Sequence, residues 1–139
     1  MTVTARTGSA RLRDFDARRA LGLGEFWTAD QIDSRHAVST VDILRESVRL
    51  RVVPSGPKKI GMSRRQWTAC PVQVYIDGVA VAQGSAPFDL EQLPAPAEIL
   101  GIEVYGGPAE EPLWLPRGSS AASLSCGAVL VWTKDGSDR

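Results

Sequence analysis

Two strand-like segments in the last third of the chain constrain its fold most. Residues Ala128–Trp132 are five consecutive apolar residues, far fewer than the roughly 20 needed to span a membrane as a helix. A short apolar run of this kind is typical of a strand that is buried on both faces. Upstream, residues 99–105 alternate, so that Ile102 and Val104 would lie on one face and Glu103 on the other. The chain is therefore predicted to contain a β-sheet with Ala128–Trp132 as its central strand.

Local signals predict two short helices and one hairpin. Thr28 and Gln31 have the spacing of a capping box, in which each side chain bonds to the other residue's backbone N–H at the start of a helix. That helix is predicted to end near Arg35, and Ser39 is a candidate N-cap residue for a second one. Farther on, Asp77–Gly78 joins two alternating segments and suits a two-residue turn with positive φ angles.

The order of these elements predicts an α+β domain. Its sheet would be small and mixed, with about four to five strands, and the two short N-terminal helices would pack on one face. Residues 25–134 form this domain in the prediction. Residues 1–24 show no sustained hydrophobic period and are predicted to be an extended arm or linker, with residues 135–139 as a polar tail. Residues 54–69 are rich in turn formers and charge, which predicts a long loop.

The charged residues do not indicate a nucleic-acid or membrane partner. The chain has 16 basic and 16 acidic residues, so it has no net charge that would attract an anionic surface. Two local basic groups occur, but neither has the interleaved aromatic residues of a base-stacking surface. We interpret both groups as solvated charge. They comprise Arg11, Arg13, Arg18, Arg19, Lys58, Lys59, Arg64 and Arg65.

No motif in the sequence indicates catalysis, a cofactor or a bound metal. His36 is the only histidine, and the two cysteines do not form a Cys-x-x-Cys pair. Residues 56–63 have the glycine spacing of a phosphate-binding loop, but Met62 stands where such a loop needs a lysine. An enzyme would have to place His36 in a pocket beside a carboxylate and a nucleophile. We therefore expect a non-enzymatic protein that holds no cofactor.

The two cysteines, Cys70 and Cys126, each precede a strand-like segment. If these strands are neighbours that begin at the same end of the sheet, the two thiols lie within reach of a disulfide. Two buried free thiols explain the spacing equally well. A lasting disulfide needs an oxidising compartment, and the first residues do not read as a secretory signal, so an export signal would have to lie upstream.

Five short segments follow one another in the order found in a known family. They read Thr-Ala-Asp-Gln-Ile at 28–32, Thr-Val-Asp-Ile-Leu-Arg at 40–45, Val-Tyr-Ile-Asp-Gly-Val at 74–79, Ile-Leu-Gly-Ile-Glu-Val-Tyr-Gly-Gly-Pro-Ala at 99–109 and Cys-Gly-Ala-Val-Leu-Val-Trp-Thr-Lys at 126–134. Together they resemble the plug domain of TonB-dependent outer-membrane receptors over most of the chain. Such a plug closes the lumen of an outer-membrane β-barrel, presents loops to a siderophore or another nutrient, and moves when TonB pulls its N-terminal segment.

The resemblance implies a non-enzymatic plug-like domain with a gating or ligand-binding role in siderophore-type nutrient uptake. Its implied partners are an outer-membrane β-barrel, in the same chain or from a companion chain, TonB, and a small-molecule ligand that the sequence does not name. The implied location is the periplasm or the outer membrane. The sequence shows neither barrel strands nor a recognisable TonB box, so we do not expect this chain to transport anything by itself. The alternative is a soluble α+β protein-interaction module unrelated to transport.

The resemblance also implies roles for individual residues. It favours a disulfide between Cys70 and Cys126, because plug domains work in the oxidising periplasm. Ligand specificity would lie in the loops 54–69 and 106–125. Trp114 is an independent contact candidate, because an apolar loop flanked by prolines is a plausible contact surface. The full set of contact candidates is Tyr105, Gly106, Gly107, Pro108 and Trp114.

Overall fold

The computed structural model describes residues 3–64, 70–81, 87–107, 110–112 and 126–134. Within these residues the helices are α1 (Val3–Leu21), α2 (Ala29–Ser34) and α3 (Thr40–Leu44). The strands are β1 (Glu25–Thr28), β2 (Leu50–Ser55), β3 (Lys58–Ser63), β4 (Gln73–Ile76), β5 (Val79–Ala80), β6 (Ile99–Tyr105) and β7 (Ala128–Thr133). Two 3₁₀ turns, Leu90–Gln92 and Pro96–Glu98, precede β6. None of the helices described has the length and apolar character that a membrane crossing requires.

Five of the strands form one mixed sheet with β7 at its centre. The strand order is β1-β6-β7-β4-β5. β7 pairs antiparallel with β6 and parallel with β4, so Val131 lies between Ile102 and Ile76. Its first four residues, 128–131, are at most 1% exposed. The predicted central strand and the predicted small mixed sheet are therefore confirmed.

The hairpin predicted at Asp77–Gly78 is present between β4 and β5. Asp77 has φ 53° and Gly78 has φ 86°, and a two-residue turn of this type requires positive angles at both positions. The Asp77 carboxylate accepts the Thr133 backbone N–H at 2.8 Å and the Thr133 hydroxyl at 2.6 Å. The turn is thereby tied to the end of β7.

One face of the sheet packs against α2 and α3. Ile32 of α2 and Ile43 of α3 are at most 1% exposed and belong to the same apolar core as Ile102, Val104 and Val129. Full burial of a side chain of this size stabilises a fold by about 1.5–3 kcal/mol. The prediction that the two short helices cover one face of the sheet is confirmed.

The capping box predicted at the start of α2 is also present. The Gln31 backbone N–H donates to Thr28 Oγ1 at 3.2 Å, and the Thr28 N–H donates to Gln31 Oε1 at 2.9 Å. Ser39 caps α3, because its hydroxyl accepts the Val41 N–H at 3.2 Å. Each short helix is therefore stabilised at its first turn.

Thr28→Ala is expected to lower the free energy of unfolding by about 1 kcal/mol, because the first turn of α2 loses its side-chain acceptor. Urea unfolding measures the change. Thr28→Ser is the matched control, since it keeps the hydroxyl, and it should unfold at nearly the wild-type urea concentration. If the alanine and serine variants were equally stable, the hydroxyl would contribute nothing to the helix.

Residues 1–24 do not form the extended arm predicted for them. Residues Val3–Leu21 form α1, a helix of 19 residues. Its C-terminal half consists mainly of Ala, Arg and Leu, which are strong helix formers. It ends at Gly22, whose φ of 71° is the left-handed conformation that commonly follows a helix. α1 packs on the second face of the sheet.

The sequence pattern missed α1 because the described side chains that hold it to the sheet are one buried ring and two arginines in ion pairs. Phe15 packs edge-to-face on Phe26 of β1, with ring centroids 5.6 Å apart. It also covers Gly101 of β6, where a Cβ atom would lie 2.7 Å from the Phe15 ring. Arg11 and Arg18, two turns apart on α1, both reach acidic residues of the sheet. In the part of α1 whose side chains the structure describes, these contacts form no apolar stripe that a periodicity search would find.

The long loop predicted over residues 54–69 is wrong in its first half. Residues Lys58–Ser63 form β3, which pairs antiparallel with β2 in a separate two-stranded sheet. Gly56, with φ 60°, provides the turn between them. Ile60 is 2% exposed, but its neighbours in β3 are charged, small or partly exposed, so the segment does not alternate clearly. Residues 65–69 and the predicted tail, 135–139, lie outside the described residues.

Candidate functional site

A buried carboxylate joins α1 to the sheet. Glu103 of β6 is 0% exposed. Arg18 of α1 donates to it twice, from Nε to Oε1 at 2.8 Å and from Nη2 to Oε2 at 2.7 Å. The Tyr105 hydroxyl donates to Oε1, and Trp132 Nε1 donates to Oε2, both at 2.5 Å. We call these four residues the Glu103 cluster. Four hydrogen bonds and one opposite charge compensate for the burial of the carboxylate.

The protonation states in the Glu103 cluster follow from burial and from the charge of Glu103. Burial opposes the charge on Arg18, but the hydrogen bonds and the negative charge of Glu103 outweigh it, so the pKa of Arg18 is raised. Burial, followed by the hydrogen bond and charge of Glu103, raises the pKa of the Tyr105 phenol far above its ordinary value. The Arg18 guanidinium also lies 5.5 Å from the centroid of the Trp132 ring, within the range of a cation–π contact.

Tyr105 is expected to stay protonated in the native protein above the pH of about 10 at which a free tyrosine ionises. Because folding raises this pKa, the stability that the group contributes is complete below about pH 10 and falls as the pH rises further. Ultraviolet absorbance of the phenolate, with circular dichroism as a monitor of folding, measures both changes. Tyr105→Phe should leave the phenolate signal of the native protein unchanged. A smaller native signal in that variant would mean that Tyr105 ionises in the folded state.

A groove opens where α1 passes the end of β7. It has a volume of about 510 Å³, within the range of small-molecule sites. Its walls are Arg11, Asp14, Ala17, Arg18 and Trp132. A smaller cavity of about 270 Å³ lies at the other end of α1, where Leu21, Leu23, Tyr105 and Pro112 are among its walls. Arg18 lines both cavities.

Solved structures of siderophore receptors share this fold. The siderophore receptor PirA from Pseudomonas aeruginosa matches 84% of the chain at 21% identity with a TM-score of 0.53. The ferric yersiniabactin uptake receptor FyuA from Yersinia pestis matches 81% at 17% identity with a TM-score of 0.57. The ferric enterobactin receptor PfeA from Pseudomonas aeruginosa matches 81% at 18% identity with a TM-score of 0.58. The chain has a plug-like fold.

At identities of 17–21%, the likeness establishes the shared fold. The chain spans less than a fifth of these receptors, covering 17–19% of their length. No protein-family model matches the sequence, and no curated protein matches it significantly. The resemblance to plug domains of TonB-dependent receptors is therefore confirmed at the level of the fold.

The plug-like fold contains the disulfide between Cys70 and Cys126 that the resemblance implied. The two Cα atoms are 5.4 Å apart, and Cys126 is 4% exposed. The cysteines precede β4 and β7, which are parallel neighbours and therefore begin at the same end of the sheet. The spacing alone had left free thiols equally possible, and the pairing of these two strands explains why the bridge forms.

Three of the five predicted contact residues lie within the described part of the plug-like fold. Tyr105 is 2% exposed, and its hydroxyl belongs to the Glu103 cluster. Gly106 and Gly107 are buried at the start of the β6–β7 connection. Pro108 and Trp114 lie outside the described residues. A ligand-contacting role for this loop stays a prediction. In this conformation Tyr105 contributes to the docking of α1 and does not form part of an exposed surface.

Ion pairs hold the start of the β6–β7 connection. The Gly106 N–H donates to Glu110 Oε1 at 2.6 Å, and Arg49 Nε donates to the same oxygen at 3.0 Å. The hydrogen bonds of Glu110 raise the pKa of Arg49 against the effect of burial. Glu25 of β1 holds the turn that precedes β2. Its carboxylate accepts the Ser47 hydroxyl at 2.5 Å and the Arg49 N–H at 3.2 Å. These contacts connect β1, the start of β2 and the loop.

The residues considered for catalysis are not assembled into a site. His36 is exposed between α2 and α3, with φ 50°, and lines neither of the two cavities. Residues 56–63 belong to the β2–β3 hairpin. In the part of the chain that the structure describes, no cluster of three or more His, Cys, Asp or Glu residues could hold a metal ion.

The Glu103 cluster was not found by sequence reasoning. Arg11 and Arg18 were interpreted as solvated charge, but the Arg18 side chain is only 14% exposed and is paired with Glu103. The available signal was a single glutamate inside an otherwise apolar strand, because a charge is rarely buried without a partner. Its partner could not be identified without the position of α1.

Proposed function

We propose that this plug-like domain has a gating or ligand-binding role in the uptake of siderophore-type nutrients at the outer membrane. The observation that carries the proposal is the fold, which siderophore receptors share over 81–84% of the chain. The proposed partners are an outer-membrane β-barrel, from the same polypeptide or a companion chain, and TonB. The proposed location is the periplasm or the outer membrane. The role is non-enzymatic, because the domain would bind or move without changing its ligand chemically.

The proposed ligand-facing end of the domain is the end at which β4 and β7 begin. Residues 106–127, which connect β6 to β7, leave the sheet there, and the segment that leads into β4 arrives at the same end. The disulfide between Cys70 and Cys126 joins the two segments at their bases. Loops that a rigid scaffold fixes at their bases are common binding surfaces, so this end is well suited to present a binding surface.

The Arg49–Glu110 ion pair supports the same assignment. Glu110 follows the start of the connection, and its carboxylate holds both Gly106 and Arg49. The ion pair therefore links the loop to β2, an element outside the five-stranded sheet. A binding loop held at a second point loses less conformational entropy when a ligand orders it.

Isothermal titration calorimetry with ferric enterobactin tests ligand binding by the purified chain. We expect saturable binding that iron-free enterobactin does not reproduce. Arg49→Ala should weaken this binding about tenfold, a cost of about 1.4 kcal/mol, because the loop loses its link to β2. Arg35→Ala is the matched control, since Arg35 pairs with Glu46 at 2.8 Å on the surface and far from the loop in the chain.

The gating role needs a separate measurement. A PfeA barrel from which its own plug has been removed should conduct ions in a planar bilayer, and the purified chain should lower that conductance when it is added to the periplasmic side. A chain that leaves the conductance unchanged and binds neither ferric enterobactin nor ferric yersiniabactin would contradict both roles. The protein-interaction alternative would then be the better interpretation.

A further inference from the structure

The groove between α1 and the end of β7 is built from groups that recognise an anion and a ring. Two guanidinium groups, Arg11 and Arg18, line it together with the indole of Trp132. Its volume of about 510 Å³ accommodates a single-ring molecule with bound water. It lies at the end of the sheet where β7 finishes, opposite the end where residues 106–127 leave the sheet. It is therefore separate from the ligand-facing end proposed above.

Arg11 is the cation that is held least tightly in this groove. Its Nη1 lies 3.4 Å from Asp77 Oδ1 and 3.4 Å from the Thr133 carbonyl oxygen, which are long distances for charged donors. Asp77 already accepts the Thr133 N–H at 2.8 Å and the Thr133 hydroxyl at 2.6 Å. The Asp77 carboxylate keeps these two bonds when Arg11 turns away. Arg11 can therefore bind an external anion at little cost to the fold.

The other walls restrict what the anion can be. Arg18 is held by its two bonds to Glu103 and lies over the Trp132 ring, so the ring and the guanidinium form a fixed wall. Ala17 leaves space beside this wall because its side chain is a single methyl group. Asp14 is exposed and has no hydrogen-bond partner in the described part of the chain. Its negative charge disfavours a multiply charged anion.

We propose that this groove binds a small aromatic monocarboxylate. The carboxylate pairs with Arg11, and the ring packs between Ala17 and Trp132. 4-Hydroxybenzoate is such a molecule, and phenol is its counterpart without the carboxylate. Binding exchanges a long ion pair with Asp77 for a charge-assisted hydrogen bond with the ligand. The site involves neither the Cys70–Cys126 end of the domain nor a barrel, so it goes beyond the proposed function and does not depend on it.

Nuclear magnetic resonance titration of the full chain with 4-hydroxybenzoate tests the proposal. We expect the indole N–H resonance of Trp132 to shift and to saturate below about 10 mM ligand, which corresponds to weak but specific binding. Arg11→Gln should weaken the affinity about tenfold, as expected for the loss of a charge-assisted hydrogen bond. Arg13→Gln makes the same charge change at an exposed position of the same helix and should leave the affinity unchanged.

A steric pair of variants tests the position of the ring. Ala17→Leu should fill the groove and abolish binding without removing a charge. Ala20→Leu makes the same substitution at an exposed position of α1 that does not line the groove, and it should bind as the wild type does. Leucine is a good helix former, so both variants should keep the wild-type circular dichroism and melting temperature, which verifies that α1 is intact.

Several results would overturn the proposal. One is a Trp132 resonance that does not saturate with 4-hydroxybenzoate, and another is an Ala17→Leu variant that binds this ligand as tightly as the wild type does. Equal affinity for phenol would show that Arg11 does not recognise a carboxylate. Equal affinity for inorganic phosphate would show that the groove is a general anion site without a ring pocket. Selective binding of 4-hydroxybenzoate that only Arg11→Gln and Ala17→Leu impair would support it.

Discussion

Glu103→Ala is expected to lower the free energy of unfolding by about 3–5 kcal/mol, the cost of breaking a buried ion pair from one side. Three residues that donate hydrogen bonds to Glu103 lose their acceptor at once. Arg18 keeps its charge in a side chain that is only 14% exposed, and the Tyr105 hydroxyl and the Trp132 indole N–H lose the bonds that they make to the carboxylate. Urea unfolding, followed by tryptophan fluorescence, measures the loss.

A second Arg–Glu pair on the surface provides the control for this variant. Arg35 Nε contacts both carboxylate oxygens of Glu46, at 3.0 Å and 2.8 Å, but the Glu46 side chain is 46% exposed. Glu46→Ala should cost no more than about 0.5 kcal/mol, because solvent screens exposed pairs. The two pairs share the same chemistry and differ in burial. Equal effects of the two substitutions would mean that α1 does not bury Glu103 in solution.

The fate of α1 gives a second readout for Glu103→Ala. The described side chains of α1 contact the sheet mainly through Phe15, Arg11 and Arg18. Without Glu103, water stabilises the Arg18 guanidinium better than the sheet does. The helix should therefore detach from the sheet more often. Trypsin should then cut α1 faster at Arg18 than it does in the wild type. If the variant lost the full stability but trypsin cut it no faster, the Glu103 cluster would stabilise the sheet itself and would not hold α1 in place.

Loss of the Cys70–Cys126 disulfide is expected to lower the free energy of unfolding by about 4 kcal/mol at most. This value follows from the loop of 56 residues that the bridge closes, because the cross-link restricts the unfolded chain. The Cys70→Ala, Cys126→Ala double variant should show the change in urea unfolding. Dithiothreitol should destabilise the wild type to a similar degree and should not affect the double variant.

Thiol counting connects this prediction to the compartment in which the protein works. Material prepared under oxidising conditions should contain no free thiol before denaturation or after it. Two free thiols in such material would contradict the bridge and would favour the soluble interaction module over the periplasmic plug-like domain. If dithiothreitol also destabilised the Cys70→Ala, Cys126→Ala double variant, the effect of dithiothreitol on the wild type would not come from loss of the disulfide.

Elements specified by local chemistry were predictable from the sequence. The Thr28 capping box and the Asp77–Gly78 turn depend on residues close in the chain, and the structure contains both. The strand at Ala128–Trp132 has distant partners, but its own apolar run makes it visible in the sequence, and the structure contains it as β7. A short-range signal suffices when the atoms that stabilise an element belong to it. The prediction of helices on one face of the sheet succeeded for the same reason, because α2 and α3 carry their own caps and apolar residues.

Elements that have distant partners and no regular pattern in their own residues were not predictable. The docking of α1 depends on Glu103, which is 85 residues from Arg18, and β3 depends on its pairing with β2 across a turn at Gly56. Their own residues lack the expected period, so their structure is decided by tertiary contacts. The disulfide lies between these cases. The two cysteines were visible, but only the resemblance to plug domains favoured their pairing, since the register of β4 beside β7 was unknown.

The central position of β7 has a consequence for biosynthesis. The pairs β1–β6 and β4–β5 are joined within the sheet only through β7, and β7 is the last of the seven described strands to leave the ribosome. A nascent chain that ends before residue 126 therefore holds two separate fragments of a sheet and lacks Cys126. The complete five-stranded sheet and the Cys70–Cys126 disulfide can therefore form only after this last strand has been synthesised.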